Sequence, residues 1–144
     1  MTESSNRGSL KVSRTGEARW ERPFSAGPSS SYSMALNNAR DRVYFSFFSF
    51  AIAEAYLVAL DTATGLPAGR FTSPAQGPVE MAISAPSIDE DGNVYVGIGG
   101  GLVKLDWNLQ VLRSRRDLSP PQEVTPVVPV VGNRGNVILP HIMD

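Results

Sequence analysis

The chain has 144 residues, 42% hydrophobic and 19% charged, with a net charge of −1. That balance excludes a disordered or fibrous chain and gives no general attraction for nucleic acid or anionic lipid. With no cysteine and one histidine, His141, there is no disulfide scaffold, no thiolate site, and no basis for a His-rich metal centre or a Ser-His-Asp triad within one chain.

Thirteen glycines and eleven prolines point to many turns and short strands. Residues 1–9 are polar and read as a disordered tail. They contain no apolar core of a signal peptide, so the sequence predicts no export signal in this chain. An extracytoplasmic location follows only if the chain is part of a longer exported protein.

Val43–Leu60 is an 18-residue, mostly apolar run flanked by Arg40 and Arg42. Its length is at the lower edge for a membrane-spanning helix. Glu54 inside it, dilution by Ser46 and Ser49, and a first half rich in aromatic and β-branched residues favour strands instead. The prediction is two buried strands around a turn at Ala51–Ala55. Tyr44, Phe45, Phe47, Phe48 and Phe50 occupy both parities, so both faces of the first strand should be covered.

Three segments share one pattern: Ser33 to Ser46, Ser84 to Gly97, and Thr125 to Pro140. Each is a short apolar run, a polar turn, and a strand starting at Val43, Val94 or Val137, at offsets of 51 and 43 residues. A second element repeats as Tyr56-Leu-Val-Ala-Leu-Asp61 and Leu102-Val-Lys-Leu-Asp106. A third repeats as Thr15-Gly16-Glu-Ala-Arg-Trp20 and Thr64-Gly65-Leu-Pro-Ala-Gly69. For one full unit the strands fall near Met81–Ile88, Val94–Gly97, Leu102–Asp106 and Gln110–Arg113. The Asp91-Gly92 pair marks the first hairpin, since glycine tolerates φ > 0 there. Four strands in roughly 45 residues is the size of a propeller blade. No segment keeps a 3.6-residue period, so almost no helix is expected.

The run Tyr56-Leu-Val-Ala-Leu-Asp-Thr-Ala-Thr-Gly65 resembles the repeat of the PQQ-like (quinoprotein-type) β-propeller family. Ser84-Ala-Pro-Ser-Ile-Asp-Glu-Asp-Gly-Asn-Val-Tyr-Val-Gly97 is similar to the segment that follows it there. The resemblance spans about residues 10–140 and implies an all-β fold of four-stranded antiparallel blades. It implies a blade end at 10–24, blades at 32–73 and 79–115, and a blade start at 123–140. The family's outer-strand tryptophan packs on the next blade, and Trp20 fits that position. Gly69 takes the matching place after Gly65, so that contact is expected to be lost or replaced by Phe71. Leu105-Asp106 is followed by Trp107-Asn108-Leu109 instead of a Thr-Gly turn. About three blades are fewer than the four a closed ring needs. The expectation is therefore an incomplete, open β-propeller, either a fragment or a subunit of a larger assembly.

Candidate chemistry is sparse. Gly97-Ile-Gly-Gly-Gly101 is glycine-rich like a phosphate loop, but a strand follows it rather than a helix, so it reads as a hairpin turn. Asp89-Glu-Asp91-Gly-Asn93 places its glycine too early for a calcium loop and also reads as a turn. Asp61 and Asp106 hold the same repeat position. Paired carboxylates could serve hydrolase or lyase chemistry, but turn-capping is the expected role. His141 has no visible partner. Arg113, Arg115 and Arg116 form a small basic cluster, read as part of a loop before Pro120-Pro121, that could meet an acidic protein. Trp20, Asp61, Gly65, Asp91, Gly92 and Asp106 are expected to be structural repeat positions.

These readings converge on a non-enzymatic scaffold for a protein partner or for self-association, with no cofactor, no nucleic acid and no membrane span. The alternative implied by the resemblance is a fragment of a quinoprotein dehydrogenase, which would bind PQQ with calcium.

Overall fold

The computed structural model describes residues 8–23, 29–49, 54–74, 83–99, 101–115, 128–132 and 136–138. These residues form an all-β protein with no helix among them. The strands are β1 (Gly8–Val12), β2 (Ala18–Pro23), β3 (Ser29–Leu36), β4 (Arg42–Ser49), β5 (Glu54–Asp61), β6 (Pro67–Pro74), β7 (Ser87–Ile88), β8 (Val94–Ile98), β9 (Gly101–Leu105), β10 (Val111–Arg115), β11 (Val130–Val131) and β12 (Val137–Ile138).

All pairings in these sheets are antiparallel. Two sheets have four strands each, in the orders β3-β4-β5-β6 and β7-β8-β9-β10, which follow the chain. Two further sheets, β1-β2 and β11-β12, have two strands each. β1 starts two residues before the expected domain start at residue 10. The strands of the four-stranded sheets lie between Ser29 and Pro74 and between Ser87 and Arg115.

The apolar run from Val43 to Leu60 is a strand pair, as its composition predicts. Val43 lies opposite Leu60, Phe45 opposite Val58 and Phe47 opposite Tyr56. Glu54 and Ala55, expected in the turn, belong instead to β5, opposite Ser49 and Phe48, while residues 50–53, Phe50 among them, lie outside the described residues. Tyr44, Phe45, Phe47 and Phe48 are all buried, so β4 is covered on both faces. On one face, Tyr44, Phe48, Ala55, Leu57 and Ala59 pack against Val94, Val96, Ile98, Val103 and Leu105 of the next four-stranded sheet. Two sheets thus share one core, and each large side chain in it contributes roughly 1.5–3 kcal/mol by leaving water. On the other face, the Phe47 and Tyr56 rings stack at 5.0 Å, and the Arg70 guanidinium lies 4.4 Å from the centre of the Tyr56 ring.

The first strand of the second large sheet is shorter than the sequence suggests. Only Ser87–Ile88 pairs as β7, with an isolated bridge at Ile83↔Ile98. Pro86 interrupts the ladder because it has no N–H to donate. Ser84 repairs the gap. Its N–H donates to the Gly97 carbonyl at 2.8 Å, and its hydroxyl accepts from the Gly97 N–H at 2.8 Å. β7 lies beside both β3 and β11, so the first strands of three successive sheets adjoin.

Candidate functional site

Two kinds of turn recur, and side chains shape both. The first joins β3 to β4, β7 to β8 and β11 to β12. In it the N–H of Asn37, Asp89 or Gly132 donates to the carbonyl of Arg42, Asn93 or Asn136. Asn37 Oδ1 accepts the N–H groups of Asp41 and Arg42, each at 3.1 Å. Asp89 does more. Its Oδ1 accepts the Asn93 N–H at 2.8 Å, and its Oδ2 accepts the Asn93 side-chain amide at 2.9 Å and the Tyr95 hydroxyl at 3.0 Å. Burial pushes the Asp89 carboxyl upward, but those hydrogen bonds and the nearby Lys104 outweigh it and hold its pKa below the ordinary carboxylate value. The carboxylate is engaged inside the turn, as a hairpin requires. Gly92 supplies the left-handed residue at φ +84°, and Arg40 occupies the matching position at φ +60°.

The second kind of turn joins β1 to β2, β5 to β6 and β9 to β10. Its first residue is Ser13, Asp61 or Asp106, and each side chain accepts from the turn's own amides. Ser13 Oγ accepts from Thr15 and Glu17. Asp61 Oδ1 accepts the N–H groups of Ala63 and Thr64 and the Thr64 hydroxyl. The Thr64 N–H and hydroxyl hold the Asp61 carboxyl below its ordinary pKa. Asp106 Oδ1 accepts from Asn108 at 2.9 Å and Gln110 at 2.8 Å. Asp61 and Asp106 thus cap separate turns. The left-handed position in these three turns is Gly16 (φ +88°), Gly65 (φ +69°) and Leu109 (φ +66°).

These turns are where neighbouring sheets meet. Trp20 on β2 lies over Gly65, and a Cβ there would fall 2.5 Å from the indole. The indole Nε1 donates to the Thr62 carbonyl at 3.0 Å, and Lys11 Nζ donates to the same oxygen. One sheet further on, Trp107 takes the place of Thr62, and its carbonyl accepts the Tyr44 hydroxyl at 2.9 Å. Burial pushes the Tyr44 phenol up, which keeps it a neutral donor. Gly69 takes the place of Trp20 and abuts the Asn108 carbonyl and Leu109. The contact expected to be lost at Gly69 is instead filled from the opposite side by Leu109, which is 2% exposed, while Phe71 packs against the shared core. The Ser87 hydroxyl ties the second large sheet to the last one by donating to the Pro129 carbonyl.

The basic cluster stands partly on a strand. Arg113 and Arg115 belong to β10, opposite Lys104 and Leu102, and Arg116 lies outside the described residues. All five residues of β10 are exposed. A bulge after Val111 sets Arg113 and Arg115 on the face of the sheet that also carries Lys104 and Tyr95. Arg113 lies directly opposite Lys104, whose ammonium is 3.9 Å from Asp89 Oδ2, so two like charges face each other across the ladder at a cost in stability. The strand pairing that carries Arg115 beyond the expected loop boundary is long-range and gives no local sequence signal. His141 also lies outside the described residues.

Among the described residues, no group of three or more His, Asp or Glu side chains is arranged to hold a metal ion, and no helix is long and apolar enough to cross a membrane. No protein-family model matches the chain, and neither does any curated protein.

Proposed function

We propose that this chain is a non-enzymatic β-propeller-type repeat module that serves as a scaffold for assembly with other protein chains. The observation that carries this reading is the arrangement of its sheets. Two four-stranded meanders stack face to face through one core, and their first strands lie side by side with that of the next sheet. The same turn docks on the preceding sheet in successive repeats, through Trp20 and Gly65 and then Gly69 and Leu109. This arrangement supports a reading of the sheets as blades around an axis. Two-stranded sheets flank the pair on either side, and edges of this kind recruit further strands.

The reading also accounts for the apolar residues left in contact with water. Val130 is 57% exposed and Ile138 62% exposed, and they face each other across β11 and β12. In the earlier repeats Tyr44 and Tyr95 hold the place of Ile138 and are 0% and 3% exposed. An additional chain on this face would bury it as the others are buried.

The deciding experiment is the solution mass of the purified chain by light scattering after size exclusion. A defined oligomer is expected. A stable monomer with cooperative unfolding over a wide concentration range would overturn the scaffold reading.

A further inference from the structure

The two-stranded sheets are opposite halves of one repeat. β11 and β12 are joined by the first kind of turn, so they correspond to β3-β4 and β7-β8. β1 and β2 are joined by the second kind, so they correspond to β5-β6 and β9-β10. In both complete sheets the missing pairing is the central one, β4 with β5 and β8 with β9. Among the described residues, β12 and β1 each have one edge without a partner strand.

A second pair of complementary features lies beside these edges. Arg113 holds the repeat position of Trp20 and Gly69, since Trp20 pairs with Lys11, Gly69 with Ala59 and Arg113 with Lys104. That position docks on the left-handed turn residue of the following sheet. Arg113 is exposed on β10. Gly16 is such a turn residue, and the space above it is empty to 4 Å, where the matching space above Gly65 is filled by the Trp20 indole. Glu17, exposed beside Gly16 and 3.7 Å from the Arg19 guanidinium, brings a carboxylate that Arg113 would share with Arg19.

The geometry points to head-to-tail association of two copies of this chain, in which β12 of one copy pairs with β1 of the other and Arg113 of the first docks over Gly16 and Glu17 of the second. The proposal rests on the scaffold reading above and specifies its interface. The register follows from the complete sheets, where Val43 faces Leu60 and Val94 faces Leu105, while Tyr44 faces Ala59 and Tyr95 faces Lys104. Val137 therefore faces Val12, and Ile138 faces Lys11. The contact is heterologous, each copy offering the other a different edge.

The absence of cysteine makes the test direct. Val12→Cys and Val137→Cys are made in separate chains, mixed, dissociated and reassembled, then oxidised or bridged with a short bismaleimide. A covalent dimer in the mixture, and none in either variant alone, is expected. Arg113→Glu should weaken association at least tenfold by light scattering, and adding Glu17→Arg should restore it. An oligomer that does not cross-link, or a cross-link found only within a single chain carrying both cysteines, would overturn the head-to-tail register and leave the scaffold reading standing. A monomer at every concentration would remove both. Association indifferent to Arg113→Glu would exclude the docking of Arg113.

Discussion

Trp20 lies so close over Gly65 that a single added methyl group would fall 2.5 Å from the indole. In the next repeat the bulky and the small residue change places, with glycine on the outer strand at Gly69 and the large side chain on the turn at Leu109. A knob fits a hole in both repeats, but opposite partners supply the knob. The contact between successive sheets is therefore kept while its two side chains differ completely, which is why aligning the repeats by residue type alone hides it.

Gly65→Ala should separate this packing from backbone preference. Gly65 and Gly16 hold equivalent turns, both with positive φ, but no heavy atom lies within 4 Å of a Cβ at Gly16. Gly16→Ala should lose about 1 kcal/mol for the left-handed conformation alone. Gly65→Ala should lose that plus about 1–3 kcal/mol from overpacking against Trp20. Urea midpoints followed by tryptophan emission give both values. Equal losses at the two sites would mean that the indole does not seat on the turn.

Leu109 combines an unfavourable backbone conformation with a buried side chain. Truncating it to alanine removes the packing against Gly69 and keeps the conformational penalty, for a loss of about 2–5 kcal/mol. Truncating it to glycine removes slightly more side chain but relieves the left-handed strain. Leu109→Gly should therefore be less destabilising than Leu109→Ala by about 1 kcal/mol, the reverse of the order usual inside a strand. Thermal melts of the two variants decide it. The ordinary order would mean that this turn relaxes away from φ +66° when the side chain is gone.

Much of the fold was legible because its signals are local. β4, β8 and β12 follow polar turns, and Asp91-Gly92 fixes one of those turns chemically. The capping by Asp61 and Asp106 was legible because a short carboxylate two or three residues before an amide is well placed to accept from it. What was not legible depends on distant partners. Nothing in leucine or arginine marks Leu109 and Arg40 as left-handed, since sheet pairing on either side of the turn imposes it. The extension of β10 through Arg115 comes from pairing with Leu102, and a run of charges before two prolines reads locally as a loop. Pro86 breaks β7 within a run that otherwise has strand character. The equivalence of Arg113 to Trp20 and Gly69 emerges only when the registers of three sheets are laid over one another.

Tyr44 joins two sheets through one polar atom. Its ring lies in the shared core, and its hydroxyl donates to the Trp107 carbonyl at 2.9 Å. Tyr44→Phe keeps the ring and removes the donor, leaving a partly buried carbonyl without it. A loss of about 1–2 kcal/mol in urea unfolding is expected, with no change in the slope of the transition. A neutral substitution would show that water replaces the hydroxyl at no cost.

Asp89 should set part of the acid limit of stability. Its side chain is 6% exposed, and it accepts from the Asn93 N–H, the Asn93 amide and the Tyr95 hydroxyl, with Lys104 Nζ 3.9 Å away. These partners hold its pKa in the folded protein below the ordinary value of 3.8. A carboxyl lowered on folding contributes its stabilisation in full above its unfolded pKa and loses it as pH falls through the folded one. Stability should therefore be level above about pH 5 and decline below about pH 4, as Asp89 takes up a proton. Asp89→Asn should lower stability at pH 7 by about 1–3 kcal/mol, because the amide cannot accept all three donors as the carboxylate does. The deficit should shrink as the pH falls through the folded pKa of Asp89, where the native carboxyl itself becomes neutral. Urea unfolding of both proteins from pH 7 to pH 2 measures the difference. A deficit constant across that range would mean that the charge of Asp89 contributes nothing and only its shape supports the turn.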